Sequence, residues 1–177
     1  MNLNLVLKDY LPLFQTIIGG LLTFIGGLLG NVLIQQRQRH AETKSLASAF
    51  HGEIQALIGI VKKRKYVQGI KGAIDDLQSG RKITYQMRVT RKYFNVYEKN
   101  LDKIGILPNP LPEKIVELYT VMTAILEDLD VINESEFYDE DPEVVISYLL
   151  ELKSLFEYAV ESGTRISQKI KSMKLLV

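Results

Sequence analysis

Near the N-terminus the apolar positions have no period. From Leu11 to Ile34 the chain is built mostly of Leu, Ile, Phe, Val and Gly, and no charged residue lies between Asp9 and Arg37. About 24 such residues suffice, as a helix, to cross a hydrocarbon core of roughly 30 Å. A cleaved signal peptide would need a net positive front and a small-x-small cleavage site, whereas Lys8 is offset by Asp9 and the apolar run is followed by Gln35-Gln36-Arg37-Gln38-Arg39. The expectation is a retained transmembrane helix over 11–34 behind a short stub, 1–10. Arg37, Arg39 and Lys44 behind the span place the C-terminal bulk in the cytoplasm and the N-terminus outside.

Behind residue 34 a helical period sets in. Leu46, Phe50, Ile54, Leu57 and Val61 predict a long juxtamembrane helix, 35–66, ending around Lys62-Lys63-Arg64-Lys65. The remaining 67–177 complete the domain. Ile70, Ile74 and Leu77 predict a short helix stopping at Ser79-Gly80. Ile83, Tyr85, Met87 and Val89 alternate as in a strand. Tyr93, Val96, Tyr97, Leu101 and Ile104 predict a helix closed by Gly105, and Leu107-Pro108-Asn109-Pro110-Leu111-Pro112 predicts a stiff extended link. Ile115, Leu118, Tyr119, Met122, Ile125, Leu129 and Ile132 form one stripe. Val145, Leu149, Leu152, Phe156, Ala159, Ile166, Ile170 and Met173 form another, with Asp141 as N-cap and Gly163 as a candidate break. The fold class expected is all-α: one N-terminal transmembrane helix and a cytoplasmic bundle of four or five helices.

The span repeats itself: Ile18-Gly19-Gly20-Leu21-Leu22 returns seven residues later as Ile25-Gly26-Gly27-Leu28-Leu29, followed by Gly30. In lipid no hydrophobic force joins helices, so small residues that let backbones approach are the usual contact surface. Gly19, Gly20, Gly26, Gly27 and Gly30 therefore mark a homo-oligomerisation face, because a single span has no second helix of its own to meet.

Composition narrows the chemistry. The chain has 177 residues and no Cys, which removes disulfides, thiolate metal sites and thiol nucleophiles. His40 and His51 are too far apart on one helix to share a metal. No phosphate loop, H-E-x-x-H or G-x-S-x-G motif occurs, and the acidic residues of 134–141 lack the spacing of a calcium loop. No enzyme, cofactor or metal is expected.

The net charge of +1 conceals a strong polarity. Residues 62–92 carry ten Lys or Arg against Asp75 and Asp76, while 113–161 carry fourteen acidic residues against Lys114 and Lys153. Three roles fit: internal packing of the basic against the acidic part, contact with anionic lipid, or a ligand site. A straight helix places Lys62 roughly 40 Å beyond Ile34, which works against lipid contact. In the ligand reading, Arg81, Lys82, Arg88, Arg91 and Lys92, interleaved with Tyr85 and Tyr93, supply cations for phosphate and rings for bases. The near-neutral total charge argues against long nucleic acid as a partner.

The run Tyr97-x-x-Asn100-x-x-x-Ile104-Gly105-Ile106-Leu107, followed by Ile115-Val116-x-x-Tyr119, resembles a pattern in uncharacterised bacterial proteins with one span and a helical cytoplasmic domain. The whole layout is also similar to the membrane-anchored accessory effector of type III CRISPR systems. That resemblance implies a domain binding a cyclic oligoadenylate and a membrane part acting on the infected cell, with no residue carried over. The expected function is thus a homo-oligomeric effector of the bacterial inner membrane that senses an anionic nucleotide-like signal and perturbs the bilayer in antiviral defence. The alternative is a structural or adaptor protein whose helical domain docks a protein partner.

Overall fold

The computed structural model describes residues 3–83, 85–87, 93–134 and 137–175, with side chains from 15–16 and 18–173 within those ranges. The described residues form five α-helices and no strand: α1 (Leu3–Lys63), α2 (Tyr66–Gln78), α3 (Asn95–Lys99), α4 (Leu111–Ile132) and α5 (Pro142–Leu175), with 3₁₀ turns at Leu101–Ile106 and Phe137–Asp139. The chain divides into two units, Met1–Thr43 and Lys44–Val177.

The first unit holds only the part of α1 up to Thr43. Leu22 and Phe24 are 65% and 66% exposed, and among the described residues this is the one helix long and apolar enough to cross a membrane. Water does not tolerate so continuous an apolar surface, and a bilayer does.

The second unit is a helical bundle, and its core follows the three-and-four spacing. Phe50 and Ile54 of α1, Ile70 of α2, Ile115 and Leu118 of α4, and Leu149, Leu152 and Ile170 of α5 are fully buried. α5 is the spine, packing along both α2 and α4. Tyr66 tilts against Phe156 with ring centroids 5.6 Å apart. α1 ends at Lys63 because Lys65 turns into the left-handed region (φ 55°), where its N–H reaches back to Lys62 and its carbonyl accepts the Gly69 N–H to start α2.

Four local expectations are corrected. α5 does not break at Gly163. A Cβ there would lie 3.0 Å from Ile58 Cδ1 and 3.2 Å from Ile54 Cγ2, so this glycine lets α5 approach α1. The helix expected from Tyr93 shrinks to the five residues of α3 and a 3₁₀ turn. The proline link turns rather than runs extended, with the Leu111 N–H donating to the Pro108 carbonyl at 3.0 Å. The alternating residues 81–83 and 85–87 form no strand; they are irregular and are called the strap below. Asp141 does cap α5, accepting the Glu143 N–H at 2.8 Å.

Candidate functional site

The strap begins where α2 stops. Gly80 has φ 76°, a conformation that favours glycine, and the turn brings the Arg81 N–H onto the Asp76 carbonyl at 3.0 Å. Arg81 then folds back: Nη2 meets Asp76 Oδ1 at 2.5 Å and Nε donates to Ser79 Oγ at 3.0 Å. Lys82 is exposed beside it. Both line an open groove of about 530 Å³ whose other walls include Asp139, Glu140, Tyr138 and Leu77. The groove carries both signs of charge.

Tyr85 lies elsewhere. Its hydroxyl covers Gly69 so closely that a Cβ there would collide with the oxygen, and burial pushes the phenol up from its ordinary pKa. The strap is anchored on both sides of this ring. The Tyr85 carbonyl accepts the Tyr138 hydroxyl at 2.6 Å, while the Asn133 amide binds the Met87 N–H at 3.0 Å and the Met87 carbonyl at 2.8 Å. Tyr85 and Met87 line a second open cleft, of about 490 Å³, together with Gln86, Arg64 and Tyr66. Arg64 Nη1 donates to Tyr66 Oη at 2.9 Å, which orients the guanidinium at that cleft.

Tyr93, half-buried, joins Tyr66 in a third place. With Phe94, Leu57, Met122 and Phe156 these two line a small open apolar pocket of about 60 Å³ against the core. Arg88, Arg91 and Lys92 lie outside the described residues. Of the four described members of the seven-residue ligand set, Arg81 and Lys82 share one groove, while Tyr85 and Tyr93 lie on either side of Arg64 and Tyr66, Tyr85 in the cleft and Tyr93 in the apolar pocket, close enough for its phenol to act on the Arg64 charge. The density of charge at 62–65 marks Arg64 in the sequence, whereas its pairing with Tyr66 depends on the turn between α1 and α2 and leaves no such mark.

Glu53 is a further functional residue that the sequence reading missed. It interrupts the buried stripe of α1, three residues after Phe50 and four before Leu57, and that interruption was the available signal. Its carboxylate accepts the Val96 N–H at 2.6 Å, the Tyr97 N–H at 3.1 Å and the Tyr119 hydroxyl at 2.5 Å. Glu53 thus caps α3 from another helix. Tyr119, stacked on Tyr97 at 4.1 Å and edge-on to Phe50 and Phe94, is held far above the usual tyrosine range by burial and by Glu53.

Of the polar pairs, Lys114 with Glu117, Lys153 with Glu157 and Arg165 with Glu161 each join residues three or four apart on one helix. In the candidate span, a Cβ added at Gly19, Gly20, Gly26, Gly27 or Gly30 meets nothing within 4 Å, so these positions are open in the single chain. The chain matches no protein-family model, no curated protein and no solved structure.

Proposed function

We propose that the chain is a single-span protein of the bacterial inner membrane whose cytoplasmic helical domain binds an anionic, nucleotide-like ligand and relays that binding to a homo-oligomer of glycine-rich spans. The observation that carries the ligand half is the cleft in which Arg64, fixed by Tyr66 at 2.9 Å, stands beside Tyr85. A guanidinium in a set orientation suits a phosphate group, and a phenol ring beside it suits a base. The anchoring half rests on the exposed, uncharged part of α1.

The mechanism is a population shift. Symmetry brings like-charged clefts of neighbouring subunits together, ligand charge relieves their repulsion, and the arrangement that binds ligand becomes the major one. The membrane output, and a role in antiviral defence, extend this proposal by the resemblance in layout. No step requires catalysis.

A second reading has its own support. The Arg81 groove mixes Lys82, Asp139 and Glu140 around Leu77, and such a lining suits a polypeptide carrying both charges more than a polyanion. In that reading the protein is an adaptor, and the span only localises it.

Calorimetry on the full chain in detergent micelles, with linear and cyclic oligoadenylates, decides between them. Heat that Arg64→Ala abolishes supports the sensor. No heat with any nucleotide, together with a cytoplasmic partner whose capture is lost on Arg81→Glu, supports the adaptor. A reporter fused after Val177 should be cytoplasmic and carbonate-resistant; release by carbonate removes the anchoring half.

A further inference from the structure

At the far end of α5 from the Arg81 groove, about 25 Å along the helix, lies an open groove of about 420 Å³ between α4 and α5. Its charged lining is of one sign: Lys114 from α4, and Arg165 and Lys169 from α5, with the hydroxyls of Tyr158 and Ser162 between them and Leu111 and Ile166 as apolar floor. The α5 members recur at 158, 162, 165 and 169, one face of the helix, so the groove is a stripe of hydrogen-bond donors. Ser162 is 3% exposed.

An oxyanion already uses part of this stripe. The Glu117 carboxylate takes the Lys114 ammonium on one oxygen, at 2.7 Å, and the Tyr158 hydroxyl on the other. Those two bonds hold its carboxyl below the usual range. Lys114 also lies 3.9 Å from Glu113, and Arg165 lies 3.1 Å from Glu161. Glu113 and Glu161 are 78% and 68% exposed, and pairs in so much water hold their cations weakly. Arg165 and Lys169 can therefore turn to a stronger anion without leaving a buried carboxylate stranded.

We propose that the groove formed by Lys114, Tyr158, Ser162, Arg165 and Lys169 is a binding site for a phosphate group, separate from the Arg64 cleft and the Arg81 groove. Arg165 supplies the planar fork that fits phosphate oxygens, Lys169 and Lys114 supply point charges, and Glu117, bonded to Lys114 and Tyr158, is the built-in competitor. The phosphate can belong to a soluble phosphorylated compound or to a lipid headgroup, since the donors read the same oxygens in either.

Pyrophosphate titrated calorimetrically into the full chain in zwitterionic micelles at low salt tests the site. In an Arg64→Ala background, which removes the other cleft's guanidinium, the double change Arg165→Ala with Lys169→Ala should weaken binding by about tenfold or more, Glu117→Gln should strengthen it, and Lys153→Ala, on the same helix but outside the groove, should leave it unchanged. Circular dichroism on each variant verifies that the bundle persists. Short-chain phosphatidic acid, with phosphatidylcholine as control, supplies the other arm: tighter binding of the lipid assigns the groove to a headgroup, and tighter binding of pyrophosphate assigns it to a soluble compound. Absence of binding by both, or binding that survives the double change, overturns the proposal.

Discussion

The two units use the same residue types in opposite ways. In residues 18–34 Leu, Ile and Phe face outward around the whole helix, and Leu22 and Phe24 are about two-thirds exposed; in residues 44–177 the same types recur every three or four positions and are buried. A stripe can be covered by another helix of the same chain, whereas a helix apolar all round needs an apolar solvent. The glycines repeat the contrast. Gly26 meets nothing on any side, and Gly163 is pressed against Ile54 and Ile58.

Truncation in the two units should have unequal consequences. Leu118→Ala, at a fully buried position of α4, should lower the stability of the folded domain by about 3 kcal/mol, while Leu22→Ala should leave it unchanged. Denaturant unfolding of the full chain in micelles, followed by tyrosine fluorescence, reads both; equal shifts would break the comparison.

Glu53→Ala is next, since it removes the acceptor of two backbone N–H groups and one hydroxyl and leaves the start of α3 uncapped. A loss of about 2 kcal/mol is expected, with roughly half of it recovered in Glu53→Gln, which retains one oxygen acceptor. Hydrogen exchange at Val96 and Tyr97 should accelerate in both variants, and unchanged protection there would remove Glu53 from its capping role.

Gly163→Ala should cost about 1 kcal/mol, because Ile58 must yield to the new methyl, and Gly26→Ala should cost the domain nothing. The same pair measured in a membrane association assay should reverse its order if the spans associate as proposed, since only Gly26 lies in the candidate span. An association unaffected by Gly26→Ala, Gly19→Leu and Gly27→Leu would leave the glycine repeat without a partner to explain it.

Alkaline pH should act on the folded unit alone. Burial pushes Tyr138 and Tyr148 up to about 12, against an ordinary phenol near 10. Above pH 10 the unfolded chain loses these protons first and binds fewer than the folded one, so stability is full below about 10 and falls as pH rises toward 12. Ultraviolet titration should show these phenols ionising late, and an ordinary titration would remove the burial. The smallest effect expected is from Lys153→Ala, whose partner Glu157 lies in water: about 0.3 kcal/mol, within the scatter of the unfolding curves.

Most of the architecture was legible because it is written in spacing. The stripe from Leu46 to Val61, the stop near Lys62, the short α2, the α4 stripe and the Asp141 cap all depend on residues within a turn or two of one another, and local hydrogen bonding decides them. Gly163 was read as a break because glycine disfavours an isolated helix; α1 made it a contact instead, and packing outweighed roughly 1 kcal/mol of propensity. The Tyr93 region shortened for a related reason. Phe94 and Tyr97 gather around Tyr119, and those contacts set the backbone more strongly than their helical spacing.

The placement of polar groups was the part that only tertiary structure could decide. Arg81 and Tyr85 are four residues apart, yet one turns back to Asp76 while the other lies over Gly69 beside Arg64. Lys114 shares a groove with Arg165 although more than fifty residues separate them. An apolar period constrains every residue on a face through one common interior, so it can be read from the chain alone. A polar constellation depends on a few side chains from distant helices, and their convergence follows from how α1, α4 and α5 pack, which no local pattern records.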